Sequence, residues 1–207
     1  MNVVDFIRGM FGNNPFEWTA VAFGIVSVYL SVRENVWSWP TGIINVSMYV
    51  FIFLTAKLYA DMGLQVFYIV ISFYGWWNWL YGGANHSELH VTRLSRKMAM
   101  ALPVAGVIGS AALGAVLRHT TDAALPYADS TLTVASLIAQ YLMTKKVLEN
   151  WLIWVTADVA YIGMYIYKDL YPTAFLYAVF LVLASLGWLE WRRSWRKQLA
   201  AETPAAS

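Results

Sequence analysis

Apolar residues along this chain gather in long runs separated by short polar connections. A helix needs about 20 largely apolar residues to cross a hydrocarbon core about 30 Å thick. Seven runs meet or approach that length: 16–32, 39–56, 64–81, 98–117, 130–144, 151–167 and 173–191. The connections hold the charges, prolines and glycines. The longest, 82–97, contains Gly82, Gly83, His86, His90, Arg93, Arg96 and Lys97. Lipid leaves no backbone group a partner outside the chain, so the pattern predicts helices throughout. Residues 1–15 carry Asp5 and Arg8 and lack an apolar core long enough for a secretory signal, so they predict a short interfacial segment.

A second pattern lies on top of the first. At an offset of 112 residues, Tyr29-Leu30 falls on Tyr141-Leu142, Trp39 on Trp151, Tyr49 on Tyr161 and Leu58-Tyr59 on Leu170-Tyr171. Leu64 and Val70 fall on Leu176 and Val182, and Gly75, Trp76 and Trp79 on Gly187, Trp188 and Trp191. No gap is needed. The repeat pairs runs one to three with runs five to seven, four spans apart, so both copies point the same way. The expected fold is an all-α membrane protein of seven transmembrane helices. Two parallel three-helix repeats, 16–81 and 130–191, flank a loop at 82–97 and a linker helix at 98–117, and a tail follows at 192–207. Parallel repeats of this kind are one transporter plan, with the site near midplane where the repeats meet.

Composition narrows the class. Only 13% of the 207 residues are charged and 59% are hydrophobic, against about a quarter charged in soluble domains. There is no cysteine, which excludes disulfides, thiolate metal sites and thiol nucleophiles. A net charge of +2 with dispersed basic residues does not point to nucleic acid. Many of the 11 Trp and 13 Tyr lie at run ends, as at Trp37, Trp39, Tyr81, Trp151 and Trp191, where rings favour the headgroup level. Ten of the 14 Lys and Arg lie in the connections on the side of the C-terminus. By the positive-inside rule that side is the cytoplasm, and the N-terminus is outside.

Candidate chemistry sits on helix faces. Trp151, Trp154, Asp158, Tyr161 and Tyr165 follow spacings of 3, 4, 3 and 4 and share a stripe. A carboxylate within a span costs about 2.5–3.5 kcal/mol on insertion scales, so Asp158 should face the bundle interior. There it suits a site that stacks a flat ring and holds hydroxyls or a cation, or it is hydrogen-bonded structurally to a neighbour. Gly42, Asn45, Tyr49 and Phe53 form a stripe on the second span, Gln65, Ser72, Trp76 and Trp79 on the third, and Thr133, Ser136, Gln140 and Thr144 on the fifth. Amides unpaired in lipid are costly, so these faces should meet at the centre, as ligand groups or as interhelical hydrogen bonds. Ala105, Gly106, Gly109, Ser110 and Gly114 suit close helix packing on the fourth span. The three histidines lack metal-ligand spacing, and no metal or cofactor is expected. An embedded enzyme would want paired acids or a His base within the spans, and a retinal photoreceptor would need a Lys in the last one, which has none.

Trp39-Pro40-Thr41-Gly42-Ile43-Ile44-Asn45, Leu58-Tyr59-Ala60-Asp61-Met62-Gly63-Leu64-Gln65, Tyr74-Gly75-Trp76-Trp77-Asn78-Trp79, and Glu149-Asn150-Trp151-Leu152-Ile153-Trp154 followed by Asp158 resemble the nicotinamide riboside transporter (PnuC) family. The resemblance covers most of the chain, roughly 18–191. It implies two three-helix bundles joined by a linker helix (3+1+3), a plan related to the SWEET sugar facilitators. It also implies a homotrimer in the bacterial inner membrane, and uptake by facilitated diffusion with phosphorylation inside the cell. Carried over by motif, Asn45, Tyr49, Gln65, Gln140, Asn150, Trp151, Trp154 and Asp158 would line the ligand site, with Tyr161 added from the stripe on the sixth span. Related members carry thiamine, riboflavin or deoxynucleosides, which present flat rings to the same aromatic residues.

Overall fold

A computed structural model describes residues 15–55, 57, 59–120, 125–167 and 169–202. Seven α-helices account for almost all of them: α1 (Pro15–Val32), α2 (Ser38–Thr55), α3 (Tyr59–Tyr81), α4 (Arg96–Thr120), α5 (Pro126–Thr144), α6 (Asn150–Tyr167) and α7 (Tyr171–Glu202). The expected interfacial segment lies outside the described residues apart from Pro15, which opens α1. Four helices are long and apolar enough to cross a membrane by length and composition: α1, α2, α4 and Thr173–Ala201 within α7. The other three, α3, α5 and α6, carry Gln65, Gln140 and Asp158.

The helix ends differ from the apolar runs. α3 begins at Tyr59, α5 at Pro126, and α7 runs on to Glu202, through most of the expected tail. Run length measures the part that tolerates lipid. Arg192, Arg193, Arg196 and Lys197 are good helix formers, so they mark an exit from the apolar layer and leave the helix intact.

The repeat is written into the backbone and the packing. α1 ends in a Schellman turn: Glu34 takes φ 54°, Asn35 N–H donates to the Leu30 carbonyl at 2.9 Å, and Glu34 N–H to Ser31 at 3.0 Å. α5 ends the same way 112 residues later, with Lys146 at φ 53°, Val147 N–H on Leu142 at 3.0 Å and Lys146 N–H on Met143 at 3.0 Å. Trp39 meets Trp79 edge to face at 5.4 Å and 88°, and Trp151 meets Trp191 at 5.3 Å and 86°. Each pair then reaches across. The Trp79 indole N–H donates to the Met143 carbonyl and that of Trp191 to the Ser31 carbonyl, both at 2.9 Å. Trp79 and Trp191 touch each other at 5.7 Å. Helix contacts follow suit: α2 packs on α1 and α3, α6 on α5 and α7, α1 reaches α7, and α3 reaches α5. Glu34 and Lys146, equivalent positions, are joined by an ion pair of 3.0 Å.

This tryptophan cluster, with Val32, Val91, Met143 and Leu148, is the hydrophobic core. It lies at the end where α1, α3 and α5 finish and α2 and α6 begin, beside the Lys/Arg-rich connections. The connection after α3 acts as a strap. Leu89 N–H donates to Trp79 O, Thr92 forms an isolated bridge with Val147, and Arg93 pairs with Glu149 at 2.5 Å. α4 packs on α5 through its small residues: an added Cβ at Gly114 would lie 2.4 Å from the Tyr127 ring, and Gly106 and Gly109 sit against Ile138 and Val134. Its Met100, Val104, Val107 and Ile108 are exposed.

Candidate substrate site

Above the tryptophan core the helices enclose a cavity of about 550 Å³, lined by α1, α2 and α3 on one side and α5, α6 and α7 on the other. The two halves present many of the same repeat positions to it with different chemistry. Trp39 faces it from α2 and Trp151 from α6; Phe53 corresponds to Tyr165, Gln65 to Tyr177, Tyr68 to Phe180, and Val46 to Asp158. A near-symmetric shell thus carries its acid, Asp158, on the α6 side.

Seven of the nine residues marked in the sequence line this cavity: Asn45, Tyr49, Gln65, Gln140, Trp151, Trp154 and Asp158. Asn150 and Tyr161 are not part of its wall. Asn150 is fully buried at the first position of α6, where its amide N–H donates to the Val147 carbonyl at 2.7 Å and ties down the preceding turn. Tyr161 packs against Tyr177 at 4.7 Å and stacks on Tyr165 at 6.0 Å and 18°, so it supports two tyrosines that do reach the cavity.

The polar groups divide into those already engaged and those without a partner among the described residues. The Asn45 amide N–H donates to Ala20 O at 2.7 Å, and Gly24 lets α1 come this close, since a Cβ there would be 3.0 Å from that nitrogen. Asp158, 4% exposed, has no ion pair or hydrogen bond among the described residues. The buried indole N–H groups of Trp39 and Trp151 and the Ser38 hydroxyl also have no partner there. Buried donors without partners are rare and costly in native proteins, and these three belong to residues on the cavity wall. Sequence reasoning passed over Ser38, Trp39, Tyr68 and Tyr177. The repeat held a signal for Trp39, which maps onto Trp151, and for Tyr177, which maps onto Gln65. Among the described residues no group of His, Asp and Glu is placed to hold a metal ion.

An acid and several aromatic rings around one cavity suit recognition of a small flat molecule, and comparison with known proteins gives that a family. Residues 14–193 match the family described as nicotinamide mononucleotide transporter. The chain belongs to that family. It is 28% identical over 200 residues to the nicotinamide riboside transporter PnuC of Escherichia coli (strain K12), with 84% of each chain covered. It is 20% identical over 171 residues to the riboflavin/roseoflavin transporter RibM of Streptomyces davaonensis, covering 81% of this chain and 80% of that one. The crystal structure of the vitamin B3 transporter PnuC superposes with a TM-score of 0.70 at 24% identity, over 94% of this chain and 91% of that one, and so shares the fold. Membership makes the chain a multi-pass membrane transporter.

Proposed function

We propose that this protein carries nicotinamide riboside across the bacterial inner membrane. The observation that carries this reading is the cavity between the two halves, with Trp154 and Trp151 beside the unpartnered carboxylate of Asp158. Nicotinamide riboside combines a flat, positively charged ring with ribose hydroxyls. Tryptophan faces attract such a ring by about 0.5–2 kcal/mol, Asp158 answers its charge or its hydroxyls, and Gln65 and Gln140 offer further hydrogen bonds. A volume of about 550 Å³ falls within the usual 300–1,000 Å³ or so of small-molecule sites. The E. coli relative named for the same cargo supports the assignment.

The proposal includes the architecture. Helices α1–α3 and α5–α7 form two parallel three-helix bundles joined by α4, the 3+1+3 plan shared with SWEET facilitators, and all seven helices span. The hydrogen bonds and ring pairs repeated at offset 112 support it. With the basic connections inside, the N-terminus is outside and the C-terminus in the cytoplasm. The chain works as a homotrimer and as a carrier without catalysis. Transport is facilitated diffusion, given direction by phosphorylation of the cargo inside the cell.

Calorimetry on purified protein with nicotinamide riboside, thiamine and riboflavin tests the cargo. Tight binding of nicotinamide riboside alone is expected. Preference for riboflavin would move the chain to the side of the RibM relative and keep the architecture. Two substitutions test the site. Asp158→Asn should leave the protein folded and weaken nicotinamide riboside binding about 10- to 100-fold, the range of a hydrogen bond to a charged group, 1.5–3 kcal/mol or so. Unchanged affinity would take Asp158 out of the site. Trp154→Ala should lower uptake about tenfold at equal protein level, the loss of one stacking contact of roughly 1–3 kcal/mol. Uptake equal to wild type would place the ring elsewhere.

A further inference from the structure

The two repeat-related turns at the basic end share a backbone but not a cover. At the second turn the strap lies alongside: Thr92 N–H donates to the Lys146 carbonyl at 3.0 Å, and Leu148 N–H donates back to Thr92 O at 2.8 Å. Moved back by 112 residues, the same groups are the Glu34 carbonyl and the Val36 N–H. Among the described residues neither has such a partner. A second cavity, of about 360 Å³, lies beside this first turn instead, lined by Arg33 and Glu34 from the turn and by Glu190, Arg193, Ser194 and Lys197 from α7. In the other half the positions equivalent to those on α7 include Asn78 and Gly82, where the strap begins. Chain fills that volume in one half and leaves it open in the other.

Charge says what fits there. Glu34 is held by Lys146 and Glu190 by Arg193, each at 3.0 Å, so both acids are already neutralised. Arg33 and Lys197 have no ion pair among the described residues. The cavity therefore presents two free cations, which call for an anion.

Level in the membrane says which anion. Trp37, beside the turn, is 64% exposed, and such rings favour the headgroup region. One turn back along α7, Leu186 and Leu189 lie i−4 from Glu190 and Arg193 and are exposed, continuing the same face toward the apolar layer. A phosphate held at the turn would thus have an apolar track for acyl chains directly behind it. Basic pockets at the cytoplasmic ends of spans suit anionic headgroups. We propose that this cavity is a binding site for the headgroup phosphate of an anionic phospholipid, with Arg33 and Lys197 as its cationic contacts. Lipid then covers the first turn as the strap covers the second.

Native mass spectrometry of the full chain in detergent tests this, titrating phosphatidylglycerol or phosphatidylcholine with matched acyl chains. Wild type should retain phosphatidylglycerol about tenfold or more over phosphatidylcholine, the scale expected of two surface cations. Arg33→Gln/Lys197→Gln should lose most of that preference, and the single Lys197→Gln part of it. Neither residue lines the central cavity, so nicotinamide riboside binding should be unchanged and reports that each variant is folded. Equal phosphatidylglycerol retention by wild type and the double variant would overturn the site. Displacement of the lipid by millimolar inorganic phosphate would overturn the lipid assignment in favour of a soluble anion.

Discussion

Trp151→Ala should cost the fold about 3–5 kcal/mol, the usual range for a buried aromatic cut to alanine, and should remove ligand binding with it. Trp151 is 1% exposed and among the largest fully buried side chains. Its ring lies against Gly187 of α7, meets Trp191 edge to face, and forms part of the cavity wall. Trp191 in turn holds Ser31 of α1. Deleting the Trp151 ring therefore loosens α7 against both α6 and α1, at the end where the core is concentrated. Thermal unfolding in detergent reads the first effect and calorimetry the second. Trp151→Phe separates them: most of the packing stays while the unpartnered indole N–H is lost. That variant should melt much closer to wild type and still bind ligand more weakly. A Trp151→Ala protein that melts like wild type would mean that the tryptophan cluster does not hold the halves together.

The repeat was legible because tryptophan and glycine constrain one another. Trp39, Gly75 and Trp79 recur as Trp151, Gly187 and Trp191, and each set builds the same ring pair over the same glycine. A residue string that must satisfy three mutual contacts resists drift, so it shows as identity at a fixed offset. The α6 stripe was legible for a related reason: helical period brings Trp151, Trp154, Asp158 and Tyr165 to one cavity. The same period put Tyr161 on that stripe, but ring packing with Tyr165 and Tyr177 sets it behind the wall. Nor could spacing tell that the Asn150 amide ties down the turn before α6, because an amide serves a ligand or a backbone carbonyl equally well. The strap was out of reach for a different reason. The bonds from Thr92 to the Lys146 carbonyl and from Leu148 N–H to Thr92 join backbone to backbone, and these leave no mark in side-chain pattern.

The glycines offer the sharpest test of that shared geometry, because two pairs of them predict opposite signs. A Cβ on Gly75 would lie 2.3 Å from the Trp39 ring, and one on Gly187 2.5 Å from the Trp151 ring. Neither ring can retreat. Trp39 and Trp151 are 4% and 1% exposed and are braced by Trp79 and Trp191. Gly75→Ala and Gly187→Ala should therefore each destabilise by about 3 kcal/mol, the upper end of ordinary overpacking. Gly63 and Gly163 are helical as well, yet an added Cβ meets nothing within 4 Å at either. Alanine there should stabilise by about 0.4–1 kcal/mol, since glycine is the poorer helix former. Melting temperatures of the four variants, measured side by side, should fall for the first pair and rise for the second. The controls remove the objection that any change in a membrane helix is harmful. If alanine at 75 and 187 also raised the melting temperature, the rings would have to lie off those glycines. The equivalence of the two halves would then rest on backbone turns alone, without the tryptophan pairs that now join them.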